Sequence, residues 1–275
     1  MTFREVKERL AKAGAVSPES EAFFLAEAAS GWSRSRLLLE PDAVFSPEAE
    51  TAVCAMLRRR FAGEPVQYIT GSAPFRDLEL AVNPNVLIPR PETEILAELA
   101  LEFLPKGGTL LDIGTGSGAI ALSIAQERPD ARVTALDVSS DALEVARKNA
   151  RRLGLTERVE FLVSDLFSAL PEERGFDVVA ANLPYVTPEE YPGLPPEVRG
   201  YEPRLALVAP DCGMEIIIRC LRGLPPHLSP GGRAVFEMSP PQLPRFREAA
   251  AECGFDTETR RDLIGRERFG IVWKK

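Results

Sequence analysis

The chain has 275 residues, 45% hydrophobic and 27% charged, which is ample apolar material for one or two soluble domains. Its formal charge of −8 disfavours a phosphate-gripping surface, so direct nucleic-acid binding is not expected. One histidine, His227, and four cysteines without C-x-x-C spacing leave little for histidine-based catalysis, a disulfide framework or a metal site, and fit a reducing cytoplasm.

The amino terminus is charged from Arg4 onward and lacks a signal-peptide core, and no run reaches the roughly 18 apolar residues of a membrane span. A cytoplasmic monomer without membrane contact is expected. Residues 1–70 read as helices only. Phe3, Val6 and Leu10 recur at helical spacing. Ser17-Pro18 and Ser46-Pro47 are start signals, with serine as the cap and proline at the first helical position. Helices this short must pack on one another, which predicts a small bundle. Arg58-Arg59-Arg60 and Arg151-Arg152 are the only tight basic clusters, and both read as solvated helix faces.

From Phe75 to Val82 apolar and polar residues alternate as in a half-buried strand, predicting a hairpin linker over residues 71–90. Pro91 opens a helix carrying Glu92 and Glu94 in its first turn, where the helix dipole favours anions. Beyond it the chain alternates short apolar runs, at 109–113, 133–137, 159–163 and 176–181, with helical stretches near 117–127 and 140–153. That pattern predicts an α/β fold with a parallel sheet and crossover helices. A fifth strand is expected at 234–237, and 257–260 with 269–273 could form a closing antiparallel pair. The Pro-rich stretch from Pro184 to Pro210 reads as a long functional loop.

Gly114-Thr115-Gly116-Ser117-Gly118 follows the first strand of this region and opens a helix. Its glycines allow a sharp turn and a close approach of ligand to main chain. Alone it also fits a dinucleotide site, with Asp137 where a ribose acid would stand, so an NAD-dependent oxidoreductase stays open. Asp112 tilts the reading, because a carboxylate beside a pyrophosphate is unfavourable, whereas it suits a ligand with a cationic amino-acid end. Asp137 can accept ribose hydroxyls. Asp165, followed by Leu166, can accept from an adenine amino group. Three acids at successive strand ends converge on the carboxyl edge of the sheet.

Asn182-Leu183-Pro184-Tyr185 leaves the fourth strand. A delocalised amide or aromatic amino nitrogen is a poor nucleophile. A site aids it by accepting both N–H hydrogens, here through the Asn182 side chain and the Leu183 carbonyl. Pro184 holds Leu183 extended, and Tyr185 offers a flat face to a planar group. The expected activity is methyl transfer from S-adenosyl-L-methionine, releasing S-adenosyl-L-homocysteine.

These motifs resemble the release-factor glutamine methyltransferases, the PrmC/HemK family. Pro65-Val66-Gln67-Tyr68-Ile69-Thr70-Gly71 and Val86-Leu87-Ile88-Pro89-Arg90-Pro91-Glu92-Thr93-Glu94 look like its linker signatures, and Tyr201-Glu202-Pro203-Arg204-Leu205-Ala206-Leu207 resembles its post-motif loop. The resemblance implies a class I S-adenosylmethionine-dependent methyltransferase fold, Rossmann-like with a mostly parallel seven-stranded sheet. It further implies a helical substrate-docking domain over 1–70, a hairpin linker over 71–90 and a catalytic domain over 91–275. The implied reaction is N5-methylation of the glutamine in the Gly-Gly-Gln motif of class I peptide chain release factors. Gly114 to Gly118, Asp137 and Asp165 would contact the cofactor, and Asn182 with the following backbone would hold the amide.

The family's usual loop reads Asn-Pro-Pro-Tyr. Leu183 replaces the first proline, which leaves the carbonyl acceptor intact and the loop less rigid. Phe236-Glu237-Met238-Ser239-Pro240 looks atypical and carries no assigned role. A ribosomal-protein glutamine methyltransferase, an adenine N6-methyltransferase and a protein that binds the cofactor without turnover are the other readings.

Overall fold

The computed structural model describes residues 1–275. The chain divides into two compact units. The first comprises Met1–Ser72 with Pro195–Tyr201, and the second Ala73–Leu194 with Glu202–Lys275.

The first unit is helical: α1 (Phe3–Lys12), α2 (Pro18–Ser30), α3 (Arg34–Leu39), α4 (Pro47–Phe61) and α5 (Val66–Thr70). The expected serine–proline starts of α2 and α4 are present. Ser46 accepts from the Ala49 N–H, whereas Ser17 makes no cap bond. Phe3, Val6 and Leu10 bury one face of α1 in a core shared with Phe23, Leu25 and Val53. The first linker signature is α5, ended by Gly71 in the left-handed conformation at φ 76°. The arginine cluster is not a free basic patch, since Arg59 pairs with Glu64 at 2.5 Å and Arg60 with Glu21 at 2.7 Å and Glu197 at 2.9 Å.

That last contact corrects the long-loop reading of 184–210. The stretch contains α9 (Pro196–Tyr201), which packs with the helical unit, where the Tyr201 hydroxyl donates to the Ala62 carbonyl at 3.1 Å. The hairpin reading is corrected in register. Residues 75–82 are not one strand, because β1 (Ser72–Phe75) and β2 (Leu78–Ala81) pair across a turn at Arg76-Asp77, with Arg76 at φ 51°.

The second unit opens with α6 (Pro91–Phe103) and builds a seven-stranded sheet. Its strands are β3 (Thr109–Ile113), β4 (Arg132–Asp137), β5 (Val159–Val163), β6 (Phe176–Ala181), β7 (Leu228–Glu237), β8 (Phe255–Arg261) and β9 (Glu267–Lys274). Between them run α7 (Ala119–Glu127), α8 (Ser140–Leu153), a short α10 (Pro210–Gly213), α11 (Glu215–Gly223) and α12 (Leu243–Glu252). The strand order is β5-β4-β3-β6-β7-β9-β8, parallel throughout except for β9, which runs antiparallel between β7 and β8. The sheet is apolar on both faces because helices cover both, the reason β3, β4 and β6 read as continuous hydrophobic runs. Strand order reverses between β3 and β6, so the carboxyl ends of these strands open into the crevice where such sheets bind ligands.

Candidate functional site

A cavity of about 330 Å³, within the range of small-molecule sites, lies at that crevice. Its wall includes Gly114, Thr115, Gly116 and Ser117 after β3, Asp137 at the end of β4, and Asp165 with Leu166 after β5. Asn182, Leu183 and Pro184 after β6 line it as well. Three of the expected residues do not line it: Asp112, Gly118 and Tyr185.

Asp112 is wholly buried beneath the glycine loop. Its Oδ2 accepts from the Thr115 hydroxyl at 2.6 Å and from the Ala121 N–H at 3.2 Å, tying the loop to the first turn of α7. Its Oδ1 is buried without any donor. Burial pushes this carboxyl up to about 7, against the two hydrogen bonds that lower it. Gly118 caps α7 at φ 84°, and an added Cβ would meet Leu122 at 2.8 Å, so its glycine serves helix packing. Gly116 differs, since at φ 56° it has nothing within 4 Å of an added Cβ and it faces the cavity.

Asp137 accepts from the Gly116 N–H and the Ser139 N–H, both at 2.9 Å, which fixes its carboxylate at the cavity wall. Burial raises its pKa while those N–H donors oppose the rise. Asp165 is more exposed and pairs with Arg219 of α11 at 2.7 Å. The preceding Ser164 accepts from the Ala169 N–H at 3.0 Å and donates to the Leu166 carbonyl at 2.6 Å, holding Leu166 at φ 50° on the cavity wall.

In the Asn182–Tyr185 loop, Asn182 donates from Nδ2 to the Thr93 hydroxyl at 3.0 Å. Thr93 lies in the first turn of α6 and donates to Glu237 Oε2 at 2.9 Å. Tyr185 turns its hydroxyl to Glu237 Oε1 at 3.4 Å instead of presenting its ring to the cavity. Its carbonyl accepts from Gln242 Nε2 at 2.7 Å. Leu183 is 4% exposed and its side chain packs over Gly114, 3.3 Å from where a Cβ would stand. Burial of that side chain anchors the loop in place of the missing proline ring.

Sequence reasoning missed Thr93, Glu237 and Glu202. Glu237 ends β7 as Asp112 and Asp137 end or nearly end theirs, and a carboxylate closing an apolar run was the available signal. Glu202 is buried and joins two signatures, accepting from the Ile88 N–H at 3.2 Å and from Arg90 at 2.5 Å. It thereby holds the 86–90 strap, which also lines the cavity.

Comparison with known proteins agrees with this architecture. The family model for the PrmC N-terminal domain matches residues 2–71, and a methyltransferase-domain model matches 104–225. A methyltransferase from Pyrococcus furiosus shares the fold with a TM-score of 0.55 at 21% identity, over 79% of this chain and 96% of its own. The sheet is the class I S-adenosylmethionine-dependent methyltransferase fold, whose antiparallel β9 also separates it from an all-parallel dinucleotide sheet. The release factor glutamine methyltransferase of Rhodopirellula baltica is 40% identical over 266 residues, covering 94% of this chain and 90% of its own. That of Moorella thermoacetica is 39% identical over 277 residues, covering 98% and 96%. The chain therefore belongs to the release factor glutamine methyltransferase family.

Proposed function

We propose that this chain transfers a methyl group from S-adenosylmethionine to the N5 amide nitrogen of the glutamine in the Gly-Gly-Gln motif of class I peptide chain release factors, in the cytoplasm. One observation carries the reading. The amide-holding loop, Asn182 to Pro184, and the glycine loop with Asp137 line the same cavity. The nearly full-length similarity to curated release factor glutamine methyltransferases supports the substrate, and the four free cysteines support the location.

The residues fit the cofactor. A buried acceptor without a donor costs about 1–3 kcal/mol. Asp112 Oδ1 is such an atom, and a cationic amino-acid end at the glycine loop above it would satisfy it through one ordered water. Gly114 and Gly116 would admit the ligand against the main chain, Asp137 would accept ribose hydroxyls, and Asp165 with Leu166 would meet the adenine. When bound, the sulfonium supplies an electrophilic methyl and departs as a neutral thioether, so the leaving group needs no acid.

The chain's own part is orientation. Asn182 is tied through Nδ2, which leaves Oδ1 to accept one N–H of the glutamine amide. The Leu183 carbonyl accepts the other. Holding both aims the nitrogen lone pair and favours its loss of planarity. Alignment of this kind supplies roughly 7–11 kcal/mol of a barrier. Tyr185 acts behind the loop through Glu237 and Gln242 and not as a stacking face. The helical unit would dock the protein substrate. The test is transfer of labelled methyl to an intact release factor: labelling is expected there and not on its Gln→Ala form, and equal labelling of both overturns the reading.

A further inference from the structure

We infer that Thr93 and Glu237 form a polarity relay that fixes which end of the Asn182 amide faces the substrate, making both positioning residues for methyl transfer; this rests on the amide-holding role proposed above. Glu237 is 2% exposed and, ionised, only accepts hydrogen bonds. Thr93 has one hydroxyl proton and donates it to Glu237 Oε2 at 2.9 Å. The Thr93 oxygen then offers only lone pairs, so the end of Asn182 that meets it must be the NH₂ group, as found at 3.0 Å. Oδ1 is thereby committed to the other side, where an amide N–H can be accepted.

Were Glu237 protonated, it could donate to Thr93. The Thr93 proton would then be free to seek Asn182 Oδ1, and the amide would lose its bias. An amide turned over presents N–H donors to an N–H substrate, which repels it. Tyr185 supports the ionised state by donating to Glu237 Oε1 at 3.4 Å, and burial holds the phenol above its ordinary value, so it keeps its proton. The charged groups acting on Glu237 are Arg268 of β9, which favours ionisation, and Glu92 of α6, which opposes it. Burial dominates and pushes the carboxyl up to about 7. The relay is polarised above that pH and relaxes below it.

The test compares full-length wild type with Thr93→Val, Thr93→Ser and Glu237→Gln, at saturating S-adenosylmethionine with a release factor as acceptor. Thr93→Val preserves shape and removes the hydroxyl. Its kcat should fall about ten- to hundredfold, the equivalent of one or two misdirected hydrogen bonds, while S-adenosylhomocysteine affinity by calorimetry is unchanged. Thr93→Ser should recover most of the lost kcat. Wild-type kcat should decline as pH drops through about 7. Glu237→Gln, which like the protonated acid can turn a donor toward Thr93, should lose that acid limb and run at every pH with the reduced kcat of the relaxed relay.

A Thr93→Val variant that binds S-adenosylhomocysteine normally and turns over like wild type overturns the inference, as does Thr93→Ser as slow as Thr93→Val. If Thr93→Val does not fold, the pH profiles decide, and identical acid limbs in wild type and Glu237→Gln overturn it. A wild type that labels no release factor overturns the functional reading and this inference with it, whereas an active wild type with indifferent Thr93 overturns the inference alone.

Discussion

Asn182 and Thr93 stand 89 residues apart and meet through a single hydrogen bond of 3.0 Å, from the amide of one to the hydroxyl of the other. The contact sets the side chain at the end of β6 against the first turn of α6. It gives Asn182 a defined donor end and therefore a defined acceptor end. Asn182→Ala should reduce kcat by about a hundredfold or more, the scale of losing a positioned group that acts in the transition state. Affinity for S-adenosylhomocysteine should change far less. Parallel loss of binding and turnover in calorimetry and steady-state kinetics would show that Asn182 serves the cofactor instead.

Asp112 gives a prediction of two signs. Its pKa is raised from 3.8 to about 7 in the folded chain, mainly by burial. The stability it contributes is therefore present below the unfolded value and lost as pH rises through about 7. Asp112→Asn should remove that penalty, so the cofactor-free variant melts no lower than wild type above that pH. The same substitution should weaken S-adenosylmethionine binding by about tenfold or more, since the cationic partner of Oδ1 is lost. Thermal melts across pH and calorimetry read the two effects separately. A variant that is both less stable at high pH and unimpaired in binding contradicts the assignment.

Two glycines should respond in opposite ways. At Gly213, φ 76°, an added Cβ would stand 2.1 Å from the Tyr185 carbonyl oxygen and 2.3 Å from Gln242 Nε2. Gly213→Ala should cost about 2 kcal/mol or more in urea unfolding. At Gly116 the strain is limited to a positive φ, worth roughly 1–2 kcal/mol, but the methyl would enter the cavity and cofactor affinity should fall steeply. Equal stability and equal binding for the two variants would refute the placement of Gly116 against ligand.

Leu183 holds the loop by burial, so truncation should act on stability first. Leu183→Ala should lose about 2–4 kcal/mol, and Leu183→Met less than about 1.5 kcal/mol. The carbonyl survives both changes, so at low temperature each should keep more kcat than Asn182→Ala. Kinetics below the unfolding transition test this directly.

Much of this was legible in the sequence, for local reasons. The runs at 109–113, 159–163 and 176–181 are the observed bounds of β3, β5 and β6: the central β3 and β6 are largely apolar because helices cover both faces, and the edge strand β5 is marked by its β-branched and aromatic residues. Asp137 and the glycine loop were visible because their partners lie close in the chain. Glu237, Thr93 and Glu202 were not. Glu237 meets a residue 144 positions away and Glu202 one 114 away. Such pairings leave no periodic trace, since what marks a buried carboxylate is its partner and not its neighbours. The α9 segment was hidden for a similar reason: its prolines read as loop, while Glu197 and Tyr201 find their partners in the helical unit.

The central claim, that the site methylates a planar side-chain amide of a release factor, is tested most directly by locating the methyl. Release factor and a ribosomal protein would each be incubated with the chain and labelled S-adenosylmethionine, digested, and mapped by mass spectrometry. One methyl is expected on the side-chain nitrogen of the Gly-Gly-Gln glutamine of the release factor, with the ribosomal protein unlabelled. Label on any other residue of the release factor, or on the ribosomal protein alone, would contradict it.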